Sequence, residues 1–303
     1  SDEKVCSEFN ITPKELNEKV NAATTILLDA RKKRIKPGLD DKCLTNWNAL
    51  TVSGLCAAFE ATGQESHLIR AEKTMHAIIV HQSKRDGSLY HSFKNGVSTI
   101  DGFLEDYAAV IQALLDLYAS TFKREYADRA RLLTDYTLQH FYNDSSFMFQ
   151  FTNHQASDLV AKQTDYFDNV IPSSNSIMCR NLIKLGQLYL LPQYRSIALE
   201  MIDLIAPRMS QYGSGFSNWM QAILDVYGNA KEVVIVGDQA MQFAKEIKHT
   251  KQPGLTLIVS IEGEEMPATE GRYQAGKTMI YVCQDNTCLA PVDNVADAIK
   301  MLS

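Results

Sequence analysis

The sequence lacks the features that mark membrane proteins, nucleic-acid-binding proteins and disulfide-stabilised secreted domains. No apolar run reaches the ~18 residues that a membrane-spanning helix needs, and from the polar start of the sequence we expect no signal peptide. The 30 Lys and Arg residues are outnumbered by 36 Asp and Glu, and the formal net charge of −6 argues against a nucleic-acid partner or an anionic membrane surface. Six cysteines are scattered over 303 residues, which is typical of a reducing compartment and predicts a cytoplasmic location.

Several motifs of enzyme chemistry are also absent. The sequence has no C-x-x-C redox pair, no H-E-x-x-H and no paired-cysteine zinc spacing, so we expect neither a metal nor a cofactor. It has no G-x-S-x-G elbow of a serine hydrolase, and Gly237 without G-x-G-x-x-G does not make a nucleotide-binding loop. Cys283 and Cys288 have an uncommon spacing for zinc, and we expect them to have no chemical role.

The sequence does contain a succession of helices separated by glycine, proline and asparagine. Thr12-Pro13 followed by Glu15 forms a capping box and predicts the start of the first helix. Helices that are apolar almost all round alternate with helices that carry one apolar stripe, which predicts the inner and outer helices of an (α/α) toroid. Short alternating stretches at 88–93 and 147–151 predict hairpins between an outer helix and the next inner one. The eight predicted helices are 12–34, 44–61, 65–82, 103–119, 124–141, 173–190, 193–209 and 215–227.

The pattern changes after Gly228, where strands appear. The apolar stretches 231–236, 255–260 and 278–282 predict strands, and two helices, to about 247 and at 292–302, complete a small α/β module. We therefore predict a mainly α protein whose toroid is incomplete. Its predicted parts are a disordered or added lead over residues 1–10, the (α/α) toroid over 11–229 and the α/β module over 230–303.

Each predicted inner helix is opened by a polar cluster, at 40–48, 101–107, 168–176 and 214–219. Inner helices of a toroid run in the same direction, so their positive N-terminal ends meet on one face and favour carboxylates there. A carboxylate pair beside apolar walls can have separated pKa values, as acid–base catalysis requires. The ordinary alternative is that Asp, Ser and Asn residues at helix starts are N-caps. The candidate acid–base residues are Asp41, Glu105, Asp106 and Asp168.

These same clusters carry a resemblance to a known family. The stretches DDKCLTNWNAL, GFLEDYA and DNVIPSSNS, with EVVIVGD in the tail, resemble the carboxy-terminal part of the YyaL and spermatogenesis-associated protein 20 family of thioredoxin-domain-containing proteins. The resemblance covers nearly the whole chain. It implies a six-hairpin glycosidase-like toroid behind an upstream thioredoxin-like domain, and a loose tie to carbohydrate metabolism.

The sequence departs from the family pattern in four respects. Ala49 and Ser174 stand where the family motifs WNGL and PSGNS have glycine, so each adds a side chain where the family keeps the backbone bare. Eight helices make four hairpins, whereas the family toroid needs six. The thioredoxin-like domain and its cysteine pair are missing from the sequence. We therefore expect a fragment or a shortened homologue, without redox activity, that self-associates through the open edge of its toroid.

Two functions follow as hypotheses, and whether the chain is an enzyme stays open between them. The first is a carbohydrate site of the glycosidase or sugar-epimerase kind. The second is a non-catalytic interaction or regulatory module of a thioredoxin-domain protein. A catalytic site should show a carboxylate with a raised pKa beside open volume, whereas a scaffold should satisfy every carboxylate with caps or basic partners. In the first hypothesis the substrate-binding residues are Trp47, Asn48, Tyr107, Asn175, Trp219 and His91.

Overall fold

The structure, a computed structural model, describes residues 1–155, 163–228, 230–250, 254–262, 266–284 and 287–302. The chain divides into two compact units, residues 1–41 and 42–303. Eleven α-helices lie within the described residues, with a four-stranded sheet near the carboxyl end. The mainly α fold with a small terminal sheet is confirmed.

The first unit contains two helices, α1 (Asp2–Phe9) and α2 (Pro13–Lys32). The predicted capping box is present, because Thr12 Oγ1 accepts from the Glu15 amide at 3.2 Å and the Glu15 carboxylate accepts from the Thr12 amide at 2.8 Å. Two expectations are corrected here. Residues 2–9 are helical rather than disordered, with two acidic side chains in the first turn that favour a helix start. Helix α2, predicted to open the toroid, belongs to this unit and buries no side chain.

The helical part of the second unit repeats one arrangement. Helices α3, α5, α7 and α9 pack side by side as inner helices, and α4, α6 and α8 each pair with the inner helix that precedes them. This is the alternation of inner and outer helices that the sequence predicts, with bounds close to the predicted ones. The helices are α3 (Thr45–Thr62), α4 (Glu65–Gln82), α5 (Leu104–Thr121), α6 (Arg124–Phe141), α7 (Ser174–Leu188), α8 (Pro192–Met209) and α9 (Ser217–Tyr227).

The inner helices differ in how completely they are buried. Helices α5 and α7 have an inner neighbour on both sides, and each buries side chains all round its axis. Helices α3 and α9 lie at the two ends of the row of four inner helices, here called the arc. Each buries one face, which leaves Trp47 and Leu224 each 64% exposed. Of the inner helices that are apolar almost all round, only those in the middle of the arc are therefore buried on every side. Self-association through these open faces stays a prediction.

Short strands lie before the inner helices α3, α5 and α7. Strands β1 (Cys43–Leu44), β2 (Ser92–Lys94) and β3 (Val97–Ser98) form an antiparallel sheet, and β4 (Tyr142–Asn143) pairs with β5 (Met148–Phe149). The turn between β2 and β3 is Asn95-Gly96, whose φ angles of 52° and 82° are those of a hairpin turn. The two predicted hairpins are therefore present, each displaced by a few residues.

The carboxyl-terminal module is a mixed sheet with helices on one side. Strand β6 (Lys231–Val236) pairs in parallel with β7 (Leu255–Ser260) and antiparallel with β8 (Met279–Gln284). Strand β8 in turn pairs antiparallel with β9 (Thr287–Cys288). Val233 and Ile235 face α10 (Ala240–Lys248) and α11 (Val295–Leu302), while Val234 and Val236 join the core of the helical part. This shared core explains why the module and the helices form one compact unit. No helix among the described residues is long and apolar enough to cross a membrane.

Candidate functional site

The N-terminal ends of neighbouring inner helices are tied together by buried carboxylates. The amide of Asn46, at the start of α3, donates to Asp106 Oδ1 in the first turn of α5 at 3.1 Å. The amide of Asn218, at the start of α9, donates to Asp168 Oδ2 just before α7 at 2.8 Å. Because each carboxylate touches two helix starts, it lies where two positive helix ends meet. The four polar clusters of the sequence thus open four helices whose starts are joined in pairs.

Asp106 is fully buried and has three donors. Besides the Asn46 amide, it accepts from the Phe103 amide at 2.9 Å and lies 2.9 Å from His91 Nδ1. Burial raises the pKa of the Asp106 carboxyl, and the hydrogen bonds from His91, Phe103 and Asn46 oppose that rise. The bond to Asp106 raises the pKa of His91 against the effect of burial. The histidine, on the loop before β2, thus reaches the first turn of α5.

Glu105, the residue before Asp106, lines a cleft of about 330 Å³ beside the starts of α5 and α7. Burial raises the pKa of its carboxyl, and the negative charges of Asp106 and Asp165 raise it further. A hydrogen bond with the Asn46 side chain and the nearby His91 act in the opposite direction. The cleft lining includes Asn46, Glu105, Asp165, Phe167, Ser174 and Ile177.

Asp165, an exposed residue, brings a second carboxyl to this cleft. Burial raises the pKa of Asp165, whereas hydrogen bonds from the amides of Phe167 and Ser174 lower it. Such amide donors favour the ionised form of a carboxyl group, and the Ser174 amide belongs to the positive start of α7. Glu105 and Asp165 therefore share one cleft with different hydrogen-bond surroundings.

Two further side chains give the cleft an apolar wall and a polar one. The ring of Phe167 is 43% exposed and stacks on Tyr212 with centroids 5.4 Å apart. Gly215 lies behind this ring, and a Cβ there would come within 2.3 Å of Phe167, so only glycine leaves room for it. The hydroxyl of Ser174 is buried and has no hydrogen-bond partner among the described residues. A buried hydroxyl without a partner costs stability, which points to a ligand or water as its partner.

Two predicted site residues have their polar atoms occupied by hydrogen bonds within the protein. Asp168 Oδ1 accepts from the Ser173 amide and the Ser176 hydroxyl, both at 2.8 Å, so with Asn218 it has three donors. The side chain of Asn175 is hydrogen-bonded to the backbone: it accepts from the Phe149 amide at 2.9 Å and donates to the carbonyls of Phe149 and Asp165. Both groups are buried and fully bonded, so neither points a free atom at the cleft.

Two of the aromatic residues predicted to bind substrate lie in the core. Trp219 is 0% exposed and donates to the Tyr166 carbonyl at 2.8 Å. Tyr107 is buried, accepts from the Leu89 amide at 2.9 Å and stacks on Tyr136. Both rings are part of the core because they lie on the covered sides of inner helices, so neither can stack on a sugar.

The remaining predicted residues lie away from the cleft lining. Trp47 is on the exposed end face of α3, and Asn48 donates to the Leu44 carbonyl at 2.7 Å. Asp41 is exposed in the first unit, whereas every residue lining the cleft belongs to the second unit. Within the described ranges, no group of three His, Cys, Asp or Glu residues could hold a metal ion.

Sequence reasoning missed Asp165 and Phe167 as individual residues. Both lie just before the 168–176 cluster, in the stretch DYFDN, so the nearby cluster was the available signal. Ser174 was singled out only as a departure from the family glycine; in the structure this residue lines the cleft, and its hydroxyl is buried.

The chain is similar to proteins that are much longer than itself. It is 26% identical over 318 residues to the uncharacterized protein B0495.5 of Caenorhabditis elegans, and 25% identical over 323 residues to human spermatogenesis-associated protein 20. These alignments cover 100% and 99% of this chain but 43% and 41% of the relatives, so the chain spans about two fifths of their length. No family model matches the chain.

One solved structure supports the fold, and a second is similar over a smaller part of the chain. A glycoside hydrolase family 76 α-mannanase, BT2949 of Bacteroides thetaiotaomicron, superposes with a TM-score of 0.51 at 17% identity, over 72% of this chain and 57% of that one. Cellobiose 2-epimerase from Bacillus thermoamylovorans reaches a TM-score of 0.46 at 15% identity, over 54% and 44% of the two chains. At such low identity the likeness concerns the fold alone. The chain is similar to spermatogenesis-associated protein 20 over almost its whole length, and the fold of its helical part is like that of the mannanase.

Proposed function

We propose that this chain binds a carbohydrate in the cleft at the starts of α5 and α7, and that Glu105 is the proton donor to the bound sugar. The observation that carries the proposal is that two carboxyl groups with raised pKa, those of Glu105 and Asp165, line one open cleft of about 330 Å³. Perturbed carboxyl groups beside open volume are typical of acid–base sites. The likeness of the fold to a mannanase adds to this proposal and does not carry it.

The surroundings of the two carboxyls suggest a division of roles. Glu105 stands among the charges of Asp106 and Asp165, which favour its protonated form and suit it to donate a proton to a glycosidic oxygen. Asp165 accepts from two backbone amides, which favour its ionised form. An ionised carboxylate there would activate water or stabilise positive charge on the sugar ring. The same two roles would serve proton transfer in a sugar epimerase.

The walls of the cleft suit a sugar. Phe167 presents an exposed ring against which the apolar face of a sugar can pack. Ser174 lines the same cleft, and its buried hydroxyl has no partner among the described residues, so a hydrogen bond from a ligand or a water would satisfy it. Phe167 thus takes the role that we predicted for Trp219 and Tyr107.

The alternative function is an interaction or regulatory module that acts beside a thioredoxin-like domain in a longer protein. The observation that favours it is the complete hydrogen bonding of Asp106 and Asp168, which is what a scaffold requires. Glu105 differs from these two because it faces open volume, and its substitution therefore distinguishes the two functions.

The experiment is a thermal-shift screen of the whole 303-residue chain against mono- and disaccharides. At about 100 times its Kd, a sugar stabilises the native state by about 2.7 kcal/mol, which corresponds to roughly 4 °C in Tm for a chain of 303 residues. We expect Phe167→Ala to abolish this shift and Glu105→Gln to reduce it. The matched control is Glu125→Gln, because Glu125 lines a separate groove of about 490 Å³ beside α4 and α6.

A second measurement addresses the proton. With any sugar that binds, hydrolysis and epimerisation are assayed with the wild-type chain and Glu105→Gln, and we expect turnover to fall at least 100-fold in the variant. Absence of a shift with every sugar, or equal shifts in wild type and Phe167→Ala, would contradict the carbohydrate proposal and favour the interaction module. Binding without turnover would remove the role of Glu105 as a proton donor.

A further inference from the structure

Cys283 and Cys288, for which the sequence indicates no chemical role, are disulfide-bonded in the structure. They are register partners on the neighbouring antiparallel strands β8 and β9, with Cα atoms 3.9 Å apart. Cys283 is buried, whereas Cys288 is exposed at the edge of the sheet. One sulfur of the pair is thus attached to an accessible residue and the other to a covered one.

A single arginine stands at both sulfurs. Arg272 Nη2 lies 3.6 Å from Cys288 Sγ, and Arg272 Nη1 lies 3.9 Å from Cys283 Sγ. Its guanidinium also lies over the ring of Tyr281, 4.6 Å from the centroid, and the Tyr281 hydroxyl donates to the Arg272 carbonyl at 3.4 Å. Tyr281 precedes Cys283 by two residues on β8, so both side chains project from the same face of the sheet. The ring therefore helps to hold the cation beside the sulfurs.

This placement matters because the reactive form of a cysteine is the thiolate. An arginine side chain stays positively charged at any ordinary pH, and a cation beside a sulfur stabilises its thiolate. Stabilising the thiolates of a reduced pair makes its disulfide easier to reduce, and a sulfur that leaves as a stabilised thiolate leaves faster. A purely structural cystine has no need of such a neighbour.

We propose that Cys283 and Cys288 form a thiol–disulfide exchange site whose substrate is a dithiol. A thiolate of the dithiol attacks the sulfur of the exposed residue Cys288, the bond between the two cysteines breaks, and its electron pair leaves with Cys283 as a thiolate beside Arg272. The second thiol of the substrate then attacks the mixed disulfide and releases Cys288. The substrate dithiol is oxidised to a disulfide, the cysteine pair is reduced, and the two protons of the substrate pass to the pair. This site is separate from the cleft and does not depend on carbohydrate binding.

The test measures the redox equilibrium of this pair in the whole chain. The protein is equilibrated anaerobically with a series of reduced-to-oxidised glutathione ratios, free thiols are alkylated, and mass spectrometry of the peptides reports Cys283 and Cys288 separately from Cys6, Cys43, Cys56 and Cys179. We expect the pair to pass from disulfide to dithiol within the series while the chain stays folded. Arg272→Met should shift the equilibrium constant toward the disulfide by about tenfold, the equivalent of one pKa unit of thiolate stabilisation.

The matched control is Lys277→Met, which removes an exposed cation of the same module and should leave the equilibrium constant unchanged. A second comparison uses glutathione capture: in Cys283→Ser the exposed Cys288 should form a mixed disulfide at least tenfold faster than the buried Cys283 does in Cys288→Ser, and dithiothreitol should release it. A pair that is reduced only when the chain unfolds, or that never forms, would overturn the proposal. So would an equilibrium constant that is the same in Arg272→Met as in wild type.

Discussion

Two buried aspartates stand at comparable places in the arc of inner helices, Asp106 where α3 meets α5 and Asp168 where α7 meets α9. Each accepts backbone amides from two helix starts and so joins two neighbouring inner helices. Their third donors differ, because Asp106 faces the titratable His91 and Asp168 faces the hydroxyl of Ser176. The capping of two helices by one carboxylate is thus a structural device that this fold uses twice. Asp106 has a titratable partner in His91, which Asp168 lacks, whereas a carboxyl that lines the cleft lies near each of them: Glu105 beside Asp106 and Asp165 near Asp168.

The largest expected effect is on stability, and it differs between alanine substitutions of the two aspartates. Asp168→Ala leaves the buried amides of Ser173 and Asn218 without an acceptor, and we expect the free energy of unfolding to fall by about 3 kcal/mol. Asp106→Ala should cost roughly half as much, because His91 and Phe103 are only partly buried and water can replace the lost acceptor. Urea denaturation of both variants measures the two losses. Equal losses, or the reverse order, would contradict the comparison.

The next effect concerns pH. The pKa of His91 is raised in the folded chain by Asp106, so the folded state holds more protons than the unfolded state above pH 6.5. The stabilisation from this pair is therefore complete below about pH 6.5 and is lost as pH rises through the folded pKa, at up to about 1.4 kcal/mol per pH unit. Urea denaturation between pH 5.5 and 8.5 should show this decline in wild type. His91→Gln should remove the decline, whereas the control His249→Gln, at an exposed histidine, should leave the decline in place.

The smallest effect compares two serines in one helix. Ser174 has an unpaired buried hydroxyl, and Ser174→Ala should raise the free energy of unfolding by about 1 kcal/mol. Ser176 donates to Asp168 and accepts from the Asn218 side chain at 2.9 Å, so Ser176→Ala should lower it by about as much. Thermal denaturation measures both changes. If the two alanine variants shift Tm in the same direction, Ser174 has a partner after all and loses its proposed role in the cleft.

The helices of the toroid could be predicted almost residue by residue, whereas the site could be predicted only in part. Apolar periodicity and the breaks between segments indicate helices locally, and the alternation of two helix types indicates which ones lie inside. Glu105 was identified because its acidic pair lies in the first turn of a very apolar helix. Asp165 and Phe167 were missed because they lie on a loop, where no periodic pattern indicates which side chain faces a cleft.

The sequence by itself determined the inner and outer helices, the capping box at Thr12, the strands of the terminal module and the gathering of polar residues at helix starts, because these depend on neighbours a few positions away. Tertiary structure alone decided that Trp219 is in the core while Trp47 is exposed, that Asp168 is saturated while Glu105 faces a cleft, and that Arg272 stands at two sulfurs. Burial and electrostatics depend on which distant segments meet, and similar polar clusters at two helix starts become a cap in one place and a candidate acid in another.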